Sequence, residues 1–291
     1  MEDTADRLPC YERIDTKGHI LATLFRPAFL RALFENRHYG MIREMGLMPL
    51  AQAGASIREF FDWVYSKLCR SYRCEYVYKN EILHRLFLAR HNLATATTTS
   101  EFLIGNNRLD LLVLNGTTVA YEVKTDYDDL ARLPRQMAAY LSVFDRINVV
   151  CAPDLAERVL SLVDQRVGVV SLNPKGSLAV RRSWESNADK VCPEAIFNLL
   201  RAPEYIAAVR RLFGVSPEVP NTQRRKVYLG YFRTLPPKIA HRILLESLRT
   251  RLLDPQPERV RLMPYSMIQM YYEATTAYRA RMFDIISQPL L

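Results

Sequence analysis

Between Arg108 and Asp126 the chain reads RLDLLVLNGTTVAYEVKTD, two apolar runs on either side of Asn115-Gly116. Short apolar, β-rich runs separated by Asn-Gly read as a β-hairpin. Both runs are apolar enough for a sheet interior, which restricts the chain to folds that cover this hairpin with other elements. Three charged residues interrupt the runs: Asp110, Glu122 and Lys124. A charge in such a place is costly unless it is paired or used.

Strand alternation places Glu122 and Lys124 on one face. Whether Asp110 joins them depends on the turn. A two-residue Asn115-Gly116 loop pairs Asp110 with Tyr121 and sends Glu122 to the opposite face. A three-residue loop, with Gly116 left-handed and Thr117 as its last member, brings Asp110 opposite Glu122. The second register is the one expected.

Around the hairpin the pattern alternates helix and strand. A candidate strand covers 100–104, and the continuous apolar runs 147-INVVCAP-153 and 167-VGVVSLN-173 read as strands buried on both faces. Helical spacing covers 127–146, with a break or kink near Pro134, and 154–164. Upstream, helices are expected over 19–40, where Pro27 is a break or first-turn residue, over 56–72 and over 77–91. Ser56 and Glu59 make a capping-box pattern for the second. Beyond residue 195 strand signals fade and prolines punctuate helical stretches, of which 238–252 is the clearest. This order predicts an α/β fold, a mixed central sheet flanked by helices, with helical N- and C-terminal extensions. The division expected is 1–75, 76–195 and 196–291.

Composition narrows the class. Hydrophobic residues at 49% and charged residues at 24% suit a soluble globular protein. The opening MEDTADRLPC lacks the apolar core of a secretory leader, and no apolar run is long enough for a membrane span, so a cytoplasmic location without membrane partners is expected. Cys10, Cys69, Cys74, Cys151 and Cys192 form no CxxC pair, and the five histidines no close ligand pair, which argues against disulfide frameworks and zinc chemistry. No phosphate-binding G-x-x-x-x-G-K-[ST] loop occurs. The net charge is +9, and residues 201–291 hold 15 Lys and Arg against 7 Asp and Glu. A positive field concentrated in this way suits a polyanion, above all nucleic acid.

Two converging carboxylates imply a shared proton or a cation. A small set of hard oxygen ligands suits Mg2+ or Mn2+ with waters left for a phosphate. Lys124 would then orient a water or stabilise developing charge.

Asp110 followed by 122-EVK-124 in a hairpin, after a helix bearing an acid and before another helix, resembles the PD-(D/E)XK nuclease superfamily. Gln136 and Tyr140 form a QxxxY element on that next helix, as in RecB-like nucleases. The stretch from 76-YVYKNEILHRLFLARHN-92 through 115–145 resembles uncharacterised bacterial and phage proteins assigned to the superfamily, and the similarity spans residues 76–175. The resemblance implies a restriction-endonuclease-like core that hydrolyses phosphodiesters, most of all in DNA, with RNA cleavage and a non-catalytic scaffold as alternatives. It implies Mg2+ or Mn2+ on Asp110, Glu122 and either Glu101 or Glu81. Lys124 and Gln136 would be catalytic, while Tyr140, Arg132 and Arg135 would meet substrate. Leu109 stands where the superfamily name has proline. Asp126 or Asp128 is expected to cap a helix, and His84 to lie on a helix surface. The terminal helical regions are where a second copy or a protein partner is expected.

Overall fold

The computed structural model describes residues 17–49, 54–254 and 256–290; Cys10 lies outside them. They group into two compact units, one drawn from 1–90, 174–176 and 258–291, the other from 91–173 and 177–257. In the first, α1 (Gly18–Ala22), α2 (Pro27–Phe34), α3 (His38–Glu44), α4 (Ile57–Ser71) and α5 (Glu75–Ile82) follow one another. Pro27 occupies the first turn of α2, where its missing N–H costs nothing. Ser56 and Glu59 close the expected capping box on α4, each side chain bonding the other's backbone N–H. Phe25, Phe29, Phe60 and Phe61 form the aromatic core between these helices, with Phe25 and Phe61 centroids 5.3 Å apart. The α5 helix widens into a π turn over Leu83–Leu88 rather than continuing as a regular helix.

The second unit is built on a six-stranded sheet: β1 (Thr97–Ile104), β2 (Asn107–Leu114), β3 (Thr118–Lys124), β4 (Arg146–Cys151), β5 (Gly168–Leu172) and β6 (Leu178–Arg182), in that spatial order. The β1–β2–β3 meander is antiparallel, β3–β4–β5 parallel and β5–β6 antiparallel. Parallel neighbours need a crossover. Here α6 (Leu133–Leu141) joins β3 to β4 and α7 (Ala156–Leu162) joins β4 to β5. Four further helices follow: α8 (Pro193–Leu199), α9 (Ala202–Phe213), α10 (Asn221–Arg233) and α11 (Pro237–Arg251). Leu112, Leu114 and Ala120 share one core with Met137 and Tyr140 of α6, Val159 of α7 and Phe197, Phe232 and Leu244 of the later helices. Val113, Val119 and Val123, of the other parity, are buried too. The last two helices, α12 (Ile268–Glu273) and α13 (Thr276–Ile285), belong to the first unit.

The architecture is thus α/β, a mixed sheet flanked by helices with helices at both ends of the chain. Two local readings change. The helix expected over 127–146 begins only at Leu133, because Pro134 fits its first turn and cannot sit deeper. Strand β6 carries no apolar alternation to reveal it, since Val180 at its centre is 65% exposed. Among the described cysteines none is in a disulfide, and no helix is long and apolar enough to cross a membrane.

Candidate active site

The hairpin turn decides which charges meet. Leu114 pairs with Thr118 and Leu111 with Tyr121, so the loop is Asn115-Gly116-Thr117 and Asp110 stands across from Glu122. Gly116 takes φ +68°, the left-handed conformation this three-residue turn demands. The shared face is the one that packs on α6, because Leu112, Leu114 and Ala120, of the same parity, touch Met137 and Tyr140 in the core.

Glu122 is the centre of the arrangement. It is 2% exposed, and its Oε1 accepts from Lys124 Nζ at 2.8 Å and from Gln136 Nε2 at 2.6 Å. Its Oε2 lies 2.9 Å from Tyr140 Oη. Gln136 and Tyr140 are one turn apart on α6, which lets both reach the same carboxylate. Burial, followed by the charge and hydrogen bond of Glu122, pushes the Tyr140 phenol far up, so it remains a donor. An ionised carboxylate only accepts, so the Gln136 amide must turn its nitrogen to Glu122. That leaves Gln136 Oε1 buried without a partner among the described residues.

Asp110 is anchored by backbone, with Val123 N donating to its Oδ2 at 2.5 Å. Opposite it on β1, Glu101 offers a carboxylate oxygen within 4.8 Å of one from Asp110. Glu101 has φ +57° inside a strand, a conformation rare for a residue with a Cβ. The pairing of β1 with β2 is interrupted at this residue, between Ser100↔Leu111 and Phe102↔Leu109. Backbone strain of this kind costs on the order of 1–3 kcal/mol and gathers at functional sites. Among the described residues, Glu122 does not join Glu101 and Asp110 in a group with all ligand atoms within 4.8 Å, since it is turned toward Lys124, Gln136 and Tyr140.

Glu81, the competing acid, belongs to the first unit. Its oxygens are taken by Tyr65 Oη at 2.9 Å, Tyr265 Oη at 2.7 Å and Arg85 Nε at 2.6 Å. Arg132, just before α6, and Arg135, within it, are both exposed. Asp128 caps no helix: its Oδ2 accepts from Thr125 N and Oγ1, both at 2.7 Å, and so pins the turn that follows Lys124. Asp129 accepts from Ala131 N at 3.0 Å in the same loop. The late start of α6 explains both. His84 is half-buried with its ring 4.0 Å from that of Tyr265, not a bare helix-surface residue.

Sequence reasoning missed Asp145, Thr117 and Thr118, which lock the hairpin turn from below. Thr117 Oγ1 donates to Asp145 Oδ2 at 2.7 Å, and Asp145 N donates to Thr118 Oγ1 at 2.9 Å. The partners are 27 or more residues apart, with no shared motif to announce them.

The family model of Bacteriophage P4 protein cII matches residues 69–258, well over half of the chain. Protein cII of Enterobacteria phage P4 is 37% identical over 87 residues, a stretch covering 29% of this chain and 33% of that protein's length. A solved protein of unknown function from Silicibacter pomeroyi aligns at 18% identity and a TM-score of 0.27, over 57% of this chain and 89% of its own. SfsA of Pyrococcus furiosus, solved in complex with Ca2+, aligns at 15% identity and a TM-score of 0.23, over 36% of this chain and 60% of its own.

Proposed function

The chain belongs to the bacteriophage P4 protein cII family, and we propose that it is a metal-dependent nuclease that hydrolyses phosphodiester bonds, with DNA as substrate. Its catalytic part is a restriction-endonuclease-like core over 76–195, between a helical region over 1–75 and a basic helical region over 196–291. The observation that carries this reading is the buried Glu122 carboxylate, gripped at once by Lys124, Gln136 and Tyr140 beside Asp110.

The donor set fits Mg2+ or Mn2+. Glu101, Asp110 and Glu122 supply hard oxygens, three carboxylates beside Lys124, 2.8 Å from Glu122, and Arg108, 3.4 Å from Glu101. Glu101 and Asp110, with Glu122 beside them, would hold the ion. Once bound it supplies Lewis-acid polarisation of a phosphate oxygen and a water of lowered pKa. Lys124 Nζ places a positive charge where negative charge develops on the phosphate. Gln136 Oε1, an acceptor without a partner among the described residues, is suited to accept a hydrogen bond from the attacking water and so orient it. Tyr140 holds the Glu122 carboxylate in place, and Arg132 and Arg135 offer exposed guanidinium groups to the phosphate backbone. The 201–257 segment, with eleven Lys and Arg against four Asp and Glu, adds the long-range attraction for a polyanion.

Purified protein incubated with single-stranded, duplex and branched DNA and with RNA, in Mg2+ or Mn2+, should cut at least one DNA and stop in EDTA. A panel left intact in both metals, with no metal binding by calorimetry, would favour a scaffold of the same fold.

The strained Glu101 gives a second test. Glu101→Gly relieves the left-handed strain, so stability should be unchanged or rise by up to about 1 kcal/mol. Cleavage should nonetheless fall, because an acid beside Asp110 is gone. Glu101→Gln should lose the same activity without the gain in stability. A Glu101→Gly protein that cuts like the parent would remove Glu101 from the site.

A further inference from the structure

One cavity in the first unit has chemistry of its own. A pocket of about 330 Å3 opens beside the π turn, between His84 and Leu88 on one side and Arg261, Met263, Tyr265 and Ile268 on the other. That volume lies at the small end of ligand pockets, room for one planar heterocycle and its sugar. Single π turns inside helices are uncommon and cluster at functional sites.

The pocket has a ring platform. The His84 and Tyr265 rings stand 4.0 Å apart, tilted by 41°. Tyr265 is held in place through its hydroxyl, which donates to Glu81 Oε1 at 2.7 Å, while Tyr65 and Arg85 fix Glu81 in turn. This explains why Glu81 is buried with every bond made: it orients the platform. Burial lowers the His84 pKa, with the Glu81 charge opposing and Arg85 reinforcing, which favours the neutral, stackable imidazole at neutral pH. Met263 and Ile268 give the floor apolar and polarisable contacts, which a heterocycle face accepts well. At the rim Arg261 is exposed, its guanidinium reaching Leu88 O at 3.4 Å and Glu258 at 2.8 Å.

We propose that this pocket binds one nucleobase of an unpaired nucleotide, stacked on the His84–Tyr265 pair with its phosphate turned to Arg261. A largely apolar pocket with two rings in its wall and one cation at the mouth matches the stacking-plus-charge chemistry of single-strand recognition. The inference needs no hydrolytic step and stands apart from the Glu122 site.

The full chain in EDTA, titrated with the four deoxynucleoside 5′-monophosphates by saturation-transfer NMR, should bind them, and 2-aminopurine in a single strand should be quenched. Deoxyribose 5-phosphate, which lacks the base, should not bind. Ala89→Trp fills the exposed mouth without touching the Glu81 network, and it and Arg261→Ala should each weaken binding about tenfold. Glu122→Gln should bind as the parent does, which keeps this test separate from the cleavage assay. Absence of nucleotide binding, equal binding of the base-free sugar phosphate, or unchanged affinity in Ala89→Trp would each overturn the assignment.

Discussion

Replacing Lys124 with alanine should lower metal-dependent cleavage by about 100-fold or more, the scale of removing one preorganised charge from a transition state. It should also destabilise the fold by about 3 kcal/mol. The Lys124 and Glu122 side chains are 10% and 3% exposed and 2.8 Å apart. Removing one partner of a buried pair leaves the other charge uncompensated, and that penalty exceeds what the pair contributes. Glu122 would retain the donors of Gln136 and Tyr140 but no cation. Mn2+ or Mg2+ should therefore raise the melting temperature of Lys124→Ala more than that of the parent, because a bound cation takes over the lost neutralisation. The double variant Lys124→Met with Glu122→Gln should regain most of the stability, since a neutral pair of similar shape replaces the charged one. It should stay inactive. Thermal melts with and without metal, run beside cleavage assays on the parent and the two variants, decide the matter. A double variant no more stable than Lys124→Ala would show that charge balance is not what holds this pair, and retained cleavage would remove both residues from catalysis.

The hairpin was the most legible part of the chain because its information is local. Period-two alternation and the Asn-Gly turn narrowed the choice to two registers, and a left-handed Gly116 beside an Asn115 of negative φ marks the three-residue turn that sets Asp110 opposite Glu122. The α6 contacts were legible for the same reason, as Gln136 and Tyr140 sit one turn apart. What sequence could not weigh was competition between distant partners. Glu81 and Glu101 were equivalent acids on paper; the tyrosines that claim Glu81 come from positions 16 and 184 residues away. The strain at Glu101 has no sequence signature at all, since only the broken pairing with β2 reveals it. Edge strand β6 was invisible because its residues face water on both sides. Tyr228 and Tyr271 lie in the core, 3% and 2% exposed.

Asp145→Ala should be the most destabilising polar substitution in the second unit, by about 3–5 kcal/mol, although the residue touches none of the proposed chemistry. Asp145 is 4% exposed, and its Oδ1 accepts from Ser186 Oγ, Asn187 N and Ala188 N at 2.6, 2.9 and 2.9 Å. Its Oδ2 accepts from Thr117 Oγ1 at 2.7 Å. Alanine takes the acceptor from Ser186 Oγ, Ala188 N and Thr117 Oγ1, while Asn187 N keeps the Asp145 carbonyl at 3.0 Å, and hydrogen bonds to a buried charge are expensive to leave unmade. Thr117 is the last residue of the hairpin loop, so the substitution should also loosen the register that sets Asp110 against Glu122, and cleavage should fall with it. Burial alone would raise the Asp145 pKa, but the hydrogen bonds from Ser186, Thr117, Asn187 and Ala188 outweigh it and hold the carboxyl below its ordinary value. A depressed pKa means that the unfolded chain takes up the proton first. The stabilisation is therefore fully present above the unfolded value of about 3.9 and is lost as pH falls through the folded one. The stability gap between the parent and Asp145→Asn, measured by urea unfolding, should accordingly be constant from pH 7 to pH 5 and shrink below pH 4. A gap that stays the same down to pH 3 would mean that the carboxylate's charge is not what these four donors recognise.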